Sequence, residues 1–231
     1  IENPDDAPSV FQEELGYLKS LAATKITLKF VPKNSGLKVA QLNTYRINND
    51  NSFLLGDLYS GQKKSLIIEA SLPALEIGQH HEIGTIEVQY DAVTEGEIKQ
   101  KTQTIPVTID VVSSVDFEKE TPNRIVTLES AFLLVARAKS EGIRLADNQE
   151  FDQASDILLK YADTLEKLNL NDSRLNNEIE DLRRRAENLR FYKEDFYTLK
   201  EKKRMFYESD KMAKANMASY DHMIKRRKDS N

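Results

Sequence analysis

Residues 54–72, LLGDLYSGQKKSLIIEASL, are the stretch whose residue types come nearest to a phosphate-binding loop. A Walker A loop places lysine directly after its second glycine and a hydroxyl residue next, because the lysine and the hydroxyl meet phosphate and magnesium. Gly56 and Gly61 have this spacing, but Gln62 occupies the lysine position. The apolar residues that follow favour a strand, so we predict a turn between two strands with Lys63 and Lys64 in solvent.

The other reactive side chains do not form a catalytic set. His80 and His81 are adjacent and precede Glu82. Neighbouring strand residues point to opposite faces, so the two histidines would be poorly placed to bind one metal ion, and we expect a solvated loop. His222 is isolated, and the absence of cysteine excludes disulfides, thiolate zinc sites and a cysteine nucleophile. We therefore predict a non-enzymatic protein without a cofactor, a metal site or an evident small-molecule substrate in this chain.

Two basic runs raise an alternative. Arg183-Arg184-Arg185 and Lys225-Arg226-Arg227-Lys228, with aromatic residues between them, have the charge to contact phosphate or anionic lipid. Consecutive residues of a helix fan out around its axis, which favours a solvated helix face and terminus instead. The alternative function is an adaptor that uses the basic tail to bind nucleic acid or an anionic membrane.

Charge is distributed unevenly along the 231 residues. The formal net charge is −5, but residues 183–231 carry 15 Lys and Arg against 8 Asp and Glu. This composition argues against a wholly nucleic-acid-binding surface. No apolar run approaches the 18 or so residues of a transmembrane helix. The first residues do not resemble a signal segment, so we expect a fragment of a longer protein. The compartment stays open, with the cytoplasm slightly favoured.

The hydrophobic pattern predicts an α+β, multidomain chain. From Thr24 the apolar residues alternate with polar ones, and similar segments follow at about 37–47, 52–58, 63–72, 84–92 and 98–112. Strands at these spacings predict an antiparallel, immunoglobulin-like β-sandwich over residues 24–114, with Pro106 at an edge or a bulge. Its predicted core contains Ile26, Leu28, Phe30, Leu66, Ile68, Ile86, Val88, Ile105, Val107 and Ile109.

After a linker at 115–123, the pattern predicts a helical domain over 124–231 with a basic C-terminal tail. Residues 124–168 form two predicted helices separated near Asp147-Asn148, and small residues among the leucines would let them approach closely. Leu175, Ile179, Leu182, Ala186 and Leu189 follow at spacings of four and three, which indicates a short coiled-coil or bundle seam. We expect a long C-terminal helix that breaks between residues 200 and 212.

Three segments resemble a known family: ENPDDAPSVFQEELGYLKSLAA, LLGDLYSGQKKSLIIEASL and GTIEVQYDAV. They are similar to the region that follows the metal-binding core in bacterial von Willebrand factor A (VWA) domain proteins. These relatives are often labelled calcium-activated chloride channel-like, and they also resemble the heavy chains of inter-alpha-trypsin inhibitor. The resemblance implies that residues 1–23, with an amphipathic helix, end a VWA domain and that 24–114 are its companion sandwich. The family's D-x-S-x-S metal loop does not occur in these residues. Any Mg²⁺ of the parent protein would therefore bind upstream of Ile1.

The aromatic residues of the last third are the predicted partner-binding surface. These aromatic residues are more numerous than a solitary solvated helix needs, and their spacing does not follow a regular heptad repeat. We therefore expect them to fold back on the chain or to dock on another chain. The candidate partner-binding residues are Phe191, Tyr192, Phe206, Tyr207, Phe196 and Tyr197. The expected function is a protein-interaction or scaffold module that accompanies a VWA domain. Its expected partner is another protein chain or a second copy, in preference to nucleic acid or a membrane.

Overall fold

The computed structural model describes residues 21–94 and 97–214, so the amphipathic helix predicted near the N-terminus and the basic run at 225–228 lie outside the described residues. The described chain is α+β and divides into two compact units. The first contains 21–39, 45–64, 70–94 and 97–120, and the second contains 40–44, 65–69 and 121–214. The division differs from the predicted one, because two short pieces of the predicted sandwich belong to the second unit.

Seven strands occur in the described residues: β1 (Leu21–Pro32), β2 (Lys38–Gln41), β3 (Arg46–Ile47), β4 (Phe53–Tyr59), β5 (Ile68–Ser71), β6 (His80–Thr94) and β7 (Glu97–Asp110). Five of them form one sheet in the order β3-β4-β1-β6-β7, and β2 pairs with β5. In the larger sheet, β1 pairs antiparallel with β4 and β6, β3 with β4, and β6 with β7. This agrees with the predicted antiparallel strands, although an immunoglobulin-like sandwich is not established. Pro106 lies on the edge strand β7, where a missing N–H costs least.

The buried side chains of the β region only partly match the predicted core. Ile26 is buried as expected, whereas Ile105 is exposed and the other predicted residues are half-buried. The buried apolar residues found in the described sequence before residue 120 are Ala23, Ile26, Leu37, Tyr45, Phe53, Leu55 and Ile83. Several of these lie in loops or next to glycine, where a period of two gives no signal.

The turn after β4 corrects the prediction for one lysine. The chain turns at Tyr59, whose carbonyl accepts from Gln62 N at 3.0 Å, and no helix follows. Lys63 is exposed, but Lys64 is half-buried and its Nζ donates to the Leu55 carbonyl at 2.6 Å. Burial lowers the pKa of Lys64. The strand predicted over 63–72 is confirmed only at Ile68–Ser71.

Five helices follow in the described residues: α1 (Ser114–Phe117), α2 (Arg124–Asp147), α3 (Phe151–Glu166), α4 (Ser173–Phe196) and α5 (Leu199–Lys214). The carboxamide of Asn123 accepts from two N–H groups of the first turn of α2, and Asp172 does the same for α4. Gln149, with a φ of 63°, lies in the turn between α2 and α3. The two helices predicted over 124–168 are therefore confirmed, with the separation near Asp147. No helix in the described ranges is long and apolar enough to cross a membrane.

Small residues allow the close packing of α2 on α3 that the sequence predicts. Ala138, Ala154 and Ala162 have no exposed surface. A Cβ added to Gly142 would lie 3.2 Å from Leu158 Cδ2, so the two helices approach closely at this point. The seam residues Leu175, Ile179, Leu182, Ala186 and Leu189 are all buried in the same cluster, and the predicted bundle seam is confirmed.

The long C-terminal helix was predicted wrongly. Lys193 has a φ of 43° and a ψ of −118°, and α4 ends at Phe196, before the 200–212 interval in which a break was expected. That interval lies inside α5. The amphipathic pattern did not locate the break, because the residues around it are charged or aromatic on all sides. The chain turns here and brings α5 back to pack on α2.

Candidate functional site

Two of the six candidate partner-binding aromatics fold back into the helical unit. Phe196 and Tyr197 pack against its core. The Tyr197 ring meets Phe151 edge to face with ring centres 6.3 Å apart, and its hydroxyl donates to Asp147 Oδ1 at 2.9 Å. Burial, followed by this carboxylate, raises the pKa of Tyr197. Both side chains therefore hold the end of α4 in place and are removed from the candidate partner surface.

The other four candidates are exposed. Phe191 is 70% and Tyr192 60% exposed on α4, and Phe206 is 62% and Tyr207 50% exposed on α5. Large apolar side chains at such exposure gain free energy when they are buried, and the described residues do not bury these four. Of the six candidate residues, these four are the ones on which a protein-interaction hypothesis can still rest.

A buried charge network holds α5 to α2 and α4. Its centre is Lys139 of α2, which has no exposed surface. Its Nζ lies 2.6 Å from Glu178 Oε2, 2.7 Å from Glu208 Oε2 and 3.3 Å from Asp181 Oδ2. Glu178 and Asp181 belong to α4 and Glu208 to α5. One ammonium group thus joins carboxylates from two other helices.

Arg185 of α4 forms the second centre of this network and is also fully buried. Its Nε is 2.7 Å from Asp181 Oδ2 and a terminal nitrogen is 3.1 Å from Glu208 Oε2, while the other terminal nitrogen contacts Glu201 of α5. Arg204 Nε, on the half-exposed rim, reaches Glu208 Oε1 at 3.3 Å. Arginine suits such a position because its planar group presents several fixed donors to different carboxylates.

Mutual attraction favours the charged forms of Lys139 and Asp181. Burial by itself would lower the pKa of Lys139, but the charges of Glu178, Glu208 and Asp181 outweigh it and raise that pKa. Burial would likewise raise the pKa of Asp181, but Lys139 and Arg185 hold it far below its usual range. A nucleophilic lysine needs a depressed pKa. Lys139 has the opposite property, so its arrangement favours a structural role.

The arginine run is engaged within the helical unit. Arg183 binds Asp163 at 3.0 Å and Glu166 at 2.7 Å, and Arg184 lies 2.5 Å from Asp181. Arg185 is buried, so only the partly exposed Arg183 and Arg184, already paired with carboxylates of the same unit, could reach a phosphate or lipid ligand.

The histidine pair lies in β6 and not in the predicted loop. His80 Nδ1 is 2.6 Å from Asp110 Oδ1 on the paired strand β7. Within residues 21–94 and 97–214, no group of three or more His, Asp or Glu side chains is arranged to hold a metal ion.

Sequence reasoning missed the charge network, although a signal for it existed. Glu178 and Arg185 are seven residues apart, and each follows a buried seam leucine, Leu175 or Leu182, by three positions. They therefore share one face of α4 with the core seam. Lys139 similarly interrupts an apolar run of α2. Opposite charges placed on core faces of different helices indicate a buried ion network.

Comparison with known proteins gives a distant structural similarity. No family model matches the chain, and no curated protein matches it significantly. Among solved structures, the chain is similar to "von Willebrand factor type A from Catenulispora acidiphila", with 16% sequence identity and a TM-score of 0.44. The similarity covers 72% of this chain and 43% of that chain, so less than half of that protein is represented.

Proposed function

We propose that the chain is a non-enzymatic module that binds another protein chain or a second copy and that accompanies a VWA domain. The exposure of Phe191, Tyr192, Phe206 and Tyr207 carries the interaction part of this proposal. Such side chains are typical interaction anchors, since aromatic residues contribute strongly to binding when a partner covers them. The VWA part rests on the resemblance of the three sequence segments described above.

The alternative, an adaptor for nucleic acid or anionic membrane, has weaker support. Arg183, Arg184 and Arg185 contact carboxylates of the same unit. The other basic run lies outside the described residues. The protein-interaction function therefore has the more direct support.

Site-specific photo-crosslinking tests the protein-interaction function. The photoreactive residue p-benzoylphenylalanine, introduced in place of Phe191 or Phe206 in cells that make this protein, should give a discrete crosslink to a protein chain. The same residue in place of Lys160, an exposed side chain of α3, is the matched control and should not give that product. Equal products at all three positions, or none at 191 and 206, would contradict the proposal.

Serine and glutamine variants separate the two functions. Phe191→Ser with Phe206→Ser should weaken association with the crosslinked partner, whereas Lys225→Gln, Arg226→Gln and Arg227→Gln together should change it much less. Phe196→Ser is kept separate, because Phe196 packs against the core and its loss should reduce stability. If the glutamine variants abolish binding and the serine variants do not, the phosphate- or membrane-binding function replaces the present one.

A further inference from the structure

The outer surface of α5 is basic because the structure turns two of its acidic side chains inward. Glu201 binds Arg185, and Glu208 binds Lys139, Arg185 and Arg204. Five basic side chains of α5 are exposed: Lys200, Lys203, Arg204, Lys211 and Lys214. The remaining acidic residue of Leu199–Lys214, Asp210, is half-buried and pairs with Lys214 at 2.5 Å. The charge network therefore produces a positively charged helix face.

Apolar anchors lie on the same exposed half of the helix. Leu199 is 67% exposed, and Phe206 follows it by seven residues, or about 10 Å along the axis at 1.5 Å per residue. Seven positions correspond to nearly two turns, so both side chains point the same way. Tyr207 adjoins them, and Lys211 Nζ lies 5.6 Å from the centre of its ring. The spacing matches that of the anchors with which helices recognise each other.

We propose that this face of α5, defined by its basic residues with Leu199, Phe206 and Tyr207, docks an acidic amphipathic segment of a partner protein. The inference rests on the proposed function and adds the surface and the chemistry of the partner. Apolar side chains of the partner cover Leu199 and Phe206, and its carboxylates face the lysines. Charge complementarity selects the partner and speeds its association.

Two other occupants fit the face less well. An interfacial membrane helix inserts its apolar side, but Met205, Met212 and Ala213 on that side of α5 are already buried in the helical unit. A single-stranded nucleic acid uses aromatic stacking along a positive groove. Here one of the two aligned anchors is Leu199, an aliphatic side chain on which a base cannot stack.

Selection of displayed peptides tests the inference without knowledge of the partner. A library of random peptides about 16 residues long, long enough for four helical turns, is selected against the full chain. Enriched peptides should be acidic, with apolar residues at positions i and i+7. Lys203→Glu with Lys211→Glu should weaken such peptides by about tenfold, and Phe206→Ser by a similar factor. The control pair Lys160→Glu and Lys167→Glu, both exposed on or beside α3, should leave binding within about twofold.

Exchanging the charges of the peptide and of α5 tests the charge pairing directly. Replacing the peptide's Glu and Asp by Lys should restore binding to the Lys203→Glu, Lys211→Glu variant, because specificity lies in the pairing of opposite charges. Circular dichroism verifies that each variant remains folded. Enrichment without acidic bias, no enrichment, or peptides unaffected by the α5 substitutions would overturn the inference. The inference would also be overturned if poly(U) RNA or phosphatidylserine vesicles bound more strongly than the selected peptides and α5 charge reversal abolished that binding.

The two proposals fail in distinguishable ways. A protein crosslink from position 191 or 206 without acidic peptide selection leaves the interaction module intact and removes the α5 inference. Acidic peptide selection without any protein crosslink supports the chemistry of the face and contradicts the proposed role in the cell.

Discussion

Replacing Lys139 with methionine should destabilise the helical unit by about 3–5 kcal/mol, the range found when one partner of a buried ion pair is removed. Three carboxylate oxygens lie 2.6–3.3 Å from its Nζ. At an effective dielectric constant of about 20, each contact contributes roughly 5–6 kcal/mol of attraction, which burial of the charges largely offsets. Methionine keeps the length and apolar character of the side chain but removes the cation that lies 2.6 Å from Glu178 Oε2. The unfavourable effect is the loss of this cation from a buried group of carboxylates and not a cavity.

The double variant Lys139→Met, Glu178→Met separates these two contributions. Asp181 and Glu208 still contact Arg185 in that variant, so the remaining buried carboxylates keep a positively charged partner. Its cost should fall to about 0–2 kcal/mol, and the two substitutions should therefore be strongly non-additive. The control Lys160→Met, at an exposed site on α3, should change stability by no more than about 0.5 kcal/mol.

Urea unfolding monitored by far-ultraviolet circular dichroism measures all three variants, because the helical signal comes mainly from this unit. A loss of stability in Lys139→Met no larger than that of the control would contradict the expected role of this lysine. A double variant less stable than Lys139→Met alone would also contradict it, since this would mean that the buried charges do not compensate each other.

Three further results are expected. The free energy of unfolding of the helical unit should be broadly constant between about pH 4 and 10, which urea midpoints across pH will check. The depressed pKa of Asp181 contributes stability that is lost as pH falls below the ordinary value of 3.8. The raised pKa of Lys139 contributes stability that is lost as pH rises past 10.5. Gly84→Ala should cost about 1–3 kcal/mol in thermal unfolding, because the new Cβ collides with the Val31 carbonyl, whereas Gly36→Ala, whose nearest neighbour would be 3.8 Å away, should cost little. Calorimetric titration with Mg²⁺ or Ca²⁺ should give no tight stoichiometric binding, since the sequence lacks D-x-S-x-S, and a site with three or more protein oxygen ligands would contradict this.

Helix prediction succeeded where local and core signals agreed. Asn123 and Asp172 cap their helices by local hydrogen bonds, and the seam from Leu175 to Leu189 repeats with the helical period. Both signals act over one or two turns, so they are visible in the order of residues. The break at Lys193 is different, because a positive φ at a lysine is maintained by packing on either side of it and has no sequence marker.

The β region shows the limit of periodicity more clearly. Alternation located most of the strands, but it did not show which face of each strand is covered. Ile105 alternates regularly and is nevertheless exposed, because β7 is the edge of the sheet. Burial of a strand residue depends on which strands and loops lie beside it, and these come from distant parts of the chain.

The number and limits of α2 and α3, the bundle seam, the lack of cysteine chemistry and the candidate aromatics of the proposed partner surface all follow from the order of residues. Which of those candidates remain exposed depends on tertiary packing: Phe196 and Tyr197 turn inward while Phe206 and Tyr207 stay exposed. It also brought Lys139 within 2.7 Å of Glu208, a residue 69 positions away, and so gave α5 a basic outer face. Local propensity acts over a few residues, whereas the pairing of buried charges depends on contacts between helices that only the folded chain creates.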